Sequence, residues 1–134
     1  MGKAVADVPA PPSPPLVLVV DDDAAIREAL REVLEPAGYA VAEAANGLEA
    51  FTYLERNPRP GAILLDLFMP VMNGWQLAKR IESVPALASV PLVVVTASGA
   101  HWGYPSKRVL RKPIDLLRLL QALHDLAPVP VTGR

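Results

Sequence analysis

The strongest constraint on this chain is a set of apolar runs too short for helices and without the alternation of a half-exposed strand. Leu16–Val20 reads "LVLVV", Ala62–Phe68 reads "AILLDLF", and Pro91–Ala97 reads "PLVVVTA". A strand with one wet face alternates apolar and polar residues. A continuous β-branched and leucine run is what a strand buried on both faces needs. Helical patterns lie between these runs. Ile26, Ala29, Leu30, Val33 and Leu34 recur at three and four, the spacing of one helix face, and Pro36 and Gly38 end it. "GLEAFTYLERN" predicts a helix with Leu48, Phe51 and Leu54 inward, stopped by "NPRPG". "GWQLAKRIES" predicts another, and "IDLLRLLQALHDLA" a last one with Leu116, Leu119, Leu120 and Leu123 inward. "YAVAEAA" is a weaker strand and "KRVLRKP" a short fifth. Five strands alternating with helices give an α/β fold, a doubly wound parallel sheet covered on both faces.

Composition narrows the class. With 134 residues there is chain enough for one core, and 51% hydrophobic with 20% charged residues is a globular balance. A formal net charge of −1 gives no reason to expect nucleic acid or an acidic membrane as partner. The absence of cysteine excludes disulfide and thiolate chemistry and fits a reducing cytoplasm. No apolar run approaches the ~18 residues of a membrane span, and no apolar segment of signal-peptide type follows the N-terminus. Met1-Gly2 begins a myristoylation pattern that Ala6 breaks. Residues 1–15 end in "PAPPSPP" and read as an extended, disordered tail. The folded part is expected over residues 16–127, with residues 128–134 as a second tail.

Sheets of this kind bind ligands at the carboxyl ends of their strands, where the strand order reverses. The first strand runs into Asp21, Asp22 and Asp23, the third ends at Asp66, the fourth at Thr96 and the fifth at Lys112. Alone, the aspartate triplet is as well explained by a helix N-cap in a solvated turn. Together these ends describe a site. Two carboxylates ~4 Å apart at an effective dielectric near 20 repel by about 4 kcal/mol. They can protonate or share a cation. Mg²⁺ suits such a set, because it takes one or two carboxylates and keeps positions open for water and a phosphoryl oxygen. Lys112 adds a second positive charge, although a plain salt bridge to Asp66 predicts the same resting contact.

"VVDDD", "LLDLFMPVMNG", "VVVTA" and "RKP", in that order, resemble the receiver domain of two-component response regulators. The resemblance runs from Leu16 to about Ala127. It implies a flavodoxin-like sheet of order 2-1-3-4-5. It also implies that Asp66 is the phosphoacceptor, attacking a phosphohistidine on a sensor histidine kinase or phosphotransfer protein. Asp21 and Asp22 are then the acidic pair for Mg²⁺, with Asp66 and the backbone carbonyl of Phe68 completing the metal's protein ligands. Thr96 and Lys112 hold phosphoryl oxygens, and a cis bond joins Lys112 to Pro113. Asp23 falls outside the pattern and reads as a helix-entry residue. His101, His124, Trp75 and Trp102 read as surface or packing residues, and Met69 and Met72 as packing residues.

Two features depart from the family. Fifteen residues separate Thr96 from Lys112, leaving about "ASGAHWGYP" for the crossover. A mean helix takes ~11–12 residues, and a parallel crossover usually a dozen or more. The helix between strands four and five is therefore expected to be missing or reduced to a turn. Val109 stands where the family often has an aromatic residue, so a coupling of Thr96 to a ring is absent or uses Trp102 or Tyr104. The leading expectation is a phosphorylation-dependent receiver with an unknown output protein, either a single-domain relay or part of a longer chain, and not a metabolic enzyme. A receiver-like interaction module that is never phosphorylated is the alternative, and a small Mg²⁺-dependent phosphatase a third.

Overall fold

A computed structural model describes residues 13–97 and 108–130. Strands β1 (Leu16–Val20), β2 (Ala40–Ala44), β3 (Ala62–Asp66), β4 (Leu92–Thr96) and β5 (Val109–Arg111) form one sheet. Its order is β2-β1-β3-β4-β5, and every pairing is parallel. Among the described residues there are four helices: α1 (Ala24–Leu34), α2 (Gly47–Arg56), α3 (Gly74–Glu82) and α4 (Leu116–Leu126). The expected loss of a helix between β4 and β5 falls on residues 98–107, outside the described residues, as do Ser98, His101, Trp102 and Tyr104. The first twelve and last four residues also lie outside them.

The unalternating strands do serve two cores. Leu18, Val20, Ile63, Leu65 and Val94 face one side, where α2 and α3 bring Ala50, Phe51, Leu54, Leu77 and Ile81. Val17, Val19, Leu64, Val93 and Val95 face the other, where α1 and α4 bring Leu30, Leu34, Leu119 and Leu123. Successive strand residues point to opposite faces, so a strand covered on both sides has no position left for a polar residue until it ends. Each fully buried leucine or valine contributes about 1.5–3 kcal/mol.

Two helix-face expectations need correction. Leu48 is 49% exposed. The buried stripe of α2 is Gly47, Ala50, Phe51 and Leu54, and one residue's step of about 100° turns Leu48 off it. Leu116 is 44% exposed, and Ala29 is exposed as well. Both border an open groove between α1 and the segment after β5, lined also by Ile26, Val33, Pro113 and Ile114. Ala29 and Leu116 lie on the apolar faces of their helices, but among the described residues no further layer covers that part of them.

Local sequence explains the entries to the helices. Asp23 caps α1 by accepting from Ala25 N at 2.9 Å and Ile26 N at 3.4 Å. Asn46 caps α2, Asn73 and Gln76 form a reciprocal capping box on α3, and Asp115 caps α4. Gly38 leaves α1 at φ 105°, a conformation open to glycine.

Candidate functional site

The carboxyl edge of the sheet gathers the polar strand ends. Asp21 follows the last residue of β1 and stays in line with the sheet, its N–H donating to Ala44 O at 3.1 Å. Asp66 closes β3 and Thr96 closes β4, both buried, while Lys112 follows β5 and donates its N–H to Thr96 O at 2.9 Å. Carboxylate oxygens of Asp21, Asp22 and Asp66, one from each, all lie within 4.8 Å of one another. Lys112 Nζ sits 3.2 Å from Asp21 Oδ2 and 3.5 Å from Asp66 Oδ2. Asp21 and Asp66 are buried, whereas Asp22 faces solvent. The bond from Lys112 to Pro113 is cis.

Electrostatics at this edge are unbalanced. Among the described residues, three clustered carboxylates are paired with one ammonium, so these four groups, with all ionised, carry a net charge of −2. Burial pushes the Asp66 carboxyl above its ordinary value, and the neighbouring Asp21 charge adds to that. The Phe68 N–H, which donates to Asp66 Oδ1 at 3.2 Å, and the Lys112 ammonium work against it. For Lys112, burial favours the neutral amine, but Asp21 and Asp66 outweigh it and raise the ammonium's pKa. Oxygen donors, a compact cluster and surplus negative charge are what a hard divalent cation requires, and Mg²⁺ fits this donor set.

The loop between β3 and α3 is built tightly around the acceptor-candidate carboxylate. Gly74 N donates to Leu67 O at 2.9 Å. A Cβ on Gly74 would lie 2.6 Å from Asp66 O and 2.7 Å from Leu67 Cα. Gly47 N donates to Met72 O at 2.9 Å, which ties the loop to the start of α2. Val71 takes φ 69°, strained for a β-branched residue. The Phe68 ring meets Trp75 edge-on, with centroids 5.1 Å apart. Met69 is buried and Met72 and Trp75 pack on the first core, as expected of packing residues. His124 is exposed. Val109 packs partly buried against the same core as Met72.

Sequence reasoning passed over one contact to this edge. Arg27 Nη1 donates to Asp21 O at 2.7 Å, and its Nε donates to Glu43 Oε1 at 3.0 Å. Arg27 reads from the sequence as an ordinary polar residue of α1, because a partner that is a backbone carbonyl leaves no residue pattern.

An open parallel sheet with a carboxylate cluster and one ammonium at the carboxyl ends of its strands defines a flavodoxin-like α/β domain with an acidic, cation-ready edge. More narrowly, the chain belongs to the response regulator receiver domain family, whose model matches residues 17–124. It is 46% identical over 84 residues to protein-glutamate methylesterase/protein-glutamine glutaminase 3 of Hahella chejuensis, covering 61% of this chain and 23% of that one. It resembles the crystal structure of a response regulator receiver protein from Pseudomonas putida with a TM-score of 0.76 and 33% identity, covering 88% of this chain and 99% of that one. The Vibrio cholerae chemotaxis protein CheY4 gives a TM-score of 0.74 at 29% identity, covering 84% of this chain and 98% of that one. The chain spans 23%, 11% and 35% of three of the curated relatives that it matches. No helix among the described residues is long and apolar enough to cross a membrane.

Proposed function

We propose that this receiver accepts a phosphoryl group on Asp66 from the phosphohistidine of a sensor histidine kinase or phosphotransfer protein, and changes its binding to an output protein as a result. The observation that carries the reading is the juxtaposition of Asp66 with Asp21, Asp22 and Lys112 at one sheet edge. In the transfer, an Asp66 carboxylate oxygen forms a bond to phosphorus as the P–N bond to the donor imidazole breaks, and the electron pair returns to the imidazole nitrogen. The product is an acyl phosphate on Asp66, which splits one transfer into two. Charge in the loose transition state spreads over the peripheral phosphoryl oxygens. Lys112 neutralises one of them and the Thr96 hydroxyl donates to another. Asp21, Asp22, Asp66 and the Phe68 carbonyl are the groups that would hold Mg²⁺. Bound there, Mg²⁺ supplies charge neutralisation for the phosphoryl oxygens. The chain then acts as a phosphoacceptor that promotes its own phosphorylation and dephosphorylation, and not as a metabolic enzyme.

The test is incorporation of phosphate from a small phosphodonor in the presence of Mg²⁺, with wild type and Asp66→Asn compared. Label in the wild type and none in the variant is expected; equal label in both overturns the acceptor assignment. A second reading, a receiver-like interaction module without phosphorylation, draws on Val109, which offers no ring to follow Thr96. It predicts that no Mg²⁺ affinity is lost in Asp22→Ala, whereas the first reading predicts that loss.

A further inference from the structure

Asp22 supplies one corner of the carboxylate cluster from an exposed position, so something other than burial has to aim it. Its Cα shares a rigid peptide plane with the carbonyl of Asp21, because the peptide bond does not rotate freely. The backbone is fixed on both sides of Asp21, and the Asp21–Asp22 plane itself through the carbonyl. The Asp21 N–H is held by Ala44 O on β2, and the Asp21 carbonyl accepts the 2.7 Å bond from Arg27 Nη1. Asp21 Oδ1 in turn accepts from Asp23 N at 2.9 Å, which closes the turn around Asp22.

Arg27 is itself fixed. Its side chain is 16% exposed, and its Nε is held by Glu43 on β2, the strand that also holds the Asp21 N–H. Glu43 uses its second oxygen on Arg31 Nε at 2.9 Å. A guanidinium beside a cation site opposes the cation by simple Coulomb repulsion. Its placement against the acid turn therefore runs against a purely electrostatic role, and Glu43 offsets the charge while leaving the donor geometry in place.

We infer that Arg27 is a positioning residue for the acidic edge, holding the Asp21–Asp22 peptide so that the Asp22 carboxylate is aimed at the divalent cation. This inference rests on the magnesium reading given above and extends it to a residue outside the set proposed to hold the metal and the phosphoryl group. Partners one shell removed from a metal commonly change its affinity 10- to 100-fold.

The two roles of Arg27 predict opposite signs. If the residue acts only through its charge, Arg27→Met tightens Mg²⁺ binding by removing a repelling cation. If it positions the turn, the same change weakens binding, about tenfold by the general range for such partners. Arg27→Lys keeps the charge but replaces the planar fork with a point donor unable to span Asp21 O and Glu43 together, so weaker binding is expected there too. Mg²⁺ affinity is read by calorimetric titration of the unphosphorylated chain, alongside thermal melts. Arg80→Met is the control, since it removes a charge from α3 that lies 4.5 Å over the Phe51 ring and touches no part of the acid turn. Its affinity is expected to match wild type.

Wild-type or tighter affinity in Arg27→Met overturns the positioning role. Should that variant not fold, wild-type affinity in Arg27→Lys overturns it instead, and weakened affinity there supports it. A wild-type chain that binds no Mg²⁺ overturns the magnesium reading and this inference together, which separates that failure from a failure of Arg27 alone.

Discussion

Asp66 is the residue where the fold works against itself. The residue is only 5% exposed, and burial followed by the Asp21 charge raises the pKa of its carboxyl in the folded state. A group whose folded pKa is raised contributes stability that is full below its unfolded value and is lost as pH rises through the folded value. Without divalent cation, Asp66→Asn is therefore expected to be more stable than wild type at pH 7. The advantage should disappear as pH falls below the ordinary aspartate range, where the wild-type group is protonated in both states. Urea denaturation of both proteins in a chelating buffer across that range checks this, and a constant difference at every pH would contradict it. Lys112 adds no slope in this window, since its raised pKa leaves it charged throughout. Val71 is a second residue under strain. At φ 69° and 74% exposed, it holds a left-handed conformation with little packing to justify it. Asparagine tolerates that conformation, so Val71→Asn should stabilise the domain by about 1 kcal/mol, read as a higher urea midpoint at unchanged slope.

At the scale of elements, the loop from β3 into α3 decides where Asp66 points. Helix propensity alone favours alanine over glycine by about 1 kcal/mol. Sterics oppose this at Gly74, where a Cβ would meet backbone atoms of Asp66 and Leu67 closer than 3.0 Å, and backbone cannot step aside as a flexible side chain does. Gly74→Ala is expected to destabilise by about 1–3 kcal/mol and to lower Mg²⁺ affinity, because relief of the clash displaces the strand end that carries the carboxylate. A stabilised variant with unchanged affinity would show that the loop gives way freely. Elements are also where the limits of sequence reading lie. Strands buried on both faces announce themselves, so the apolar runs of β1, β3 and β4 point directly to the polar residues that end them. Helix periodicity identifies a face but not what lies over it, and so Leu48 and Leu116 were expected inside and lie outside. Val71 defies its own propensity, and Arg27 binds a backbone carbonyl; neither leaves a pattern of residue types to read.

At the scale of the whole molecule, the carboxylates come from the ends of two strands that α1, β2 and α2 separate in the chain and the sheet pairs directly, so the cluster exists only when the sheet is assembled. An unfolded chain offers no such arrangement, and a cation that binds the folded form alone must stabilise it. At a Mg²⁺ concentration of 100 times its Kd the gain is about 2.7 kcal/mol, growing logarithmically with further ion. Salt without specific binding also eases repulsion among the carboxylates, but screening acts through ionic strength and is weaker for buried groups. The two effects separate in thermal melts at matched ionic strength, with MgCl₂ exchanged for NaCl. A higher midpoint in MgCl₂ is expected for wild type, and none in Asp22→Ala, which keeps the sheet but removes an exposed carboxylate that contributes no core packing. In Asp66→Asn the gain should shrink, so a variant more stable than wild type without the ion becomes the less stable of the two once Mg²⁺ saturates the wild-type site. That reversal follows only if the charge crowding at the sheet edge is the same feature that binds the cation. Equal midpoints in the two salts would reduce the cluster to simple electrostatic strain.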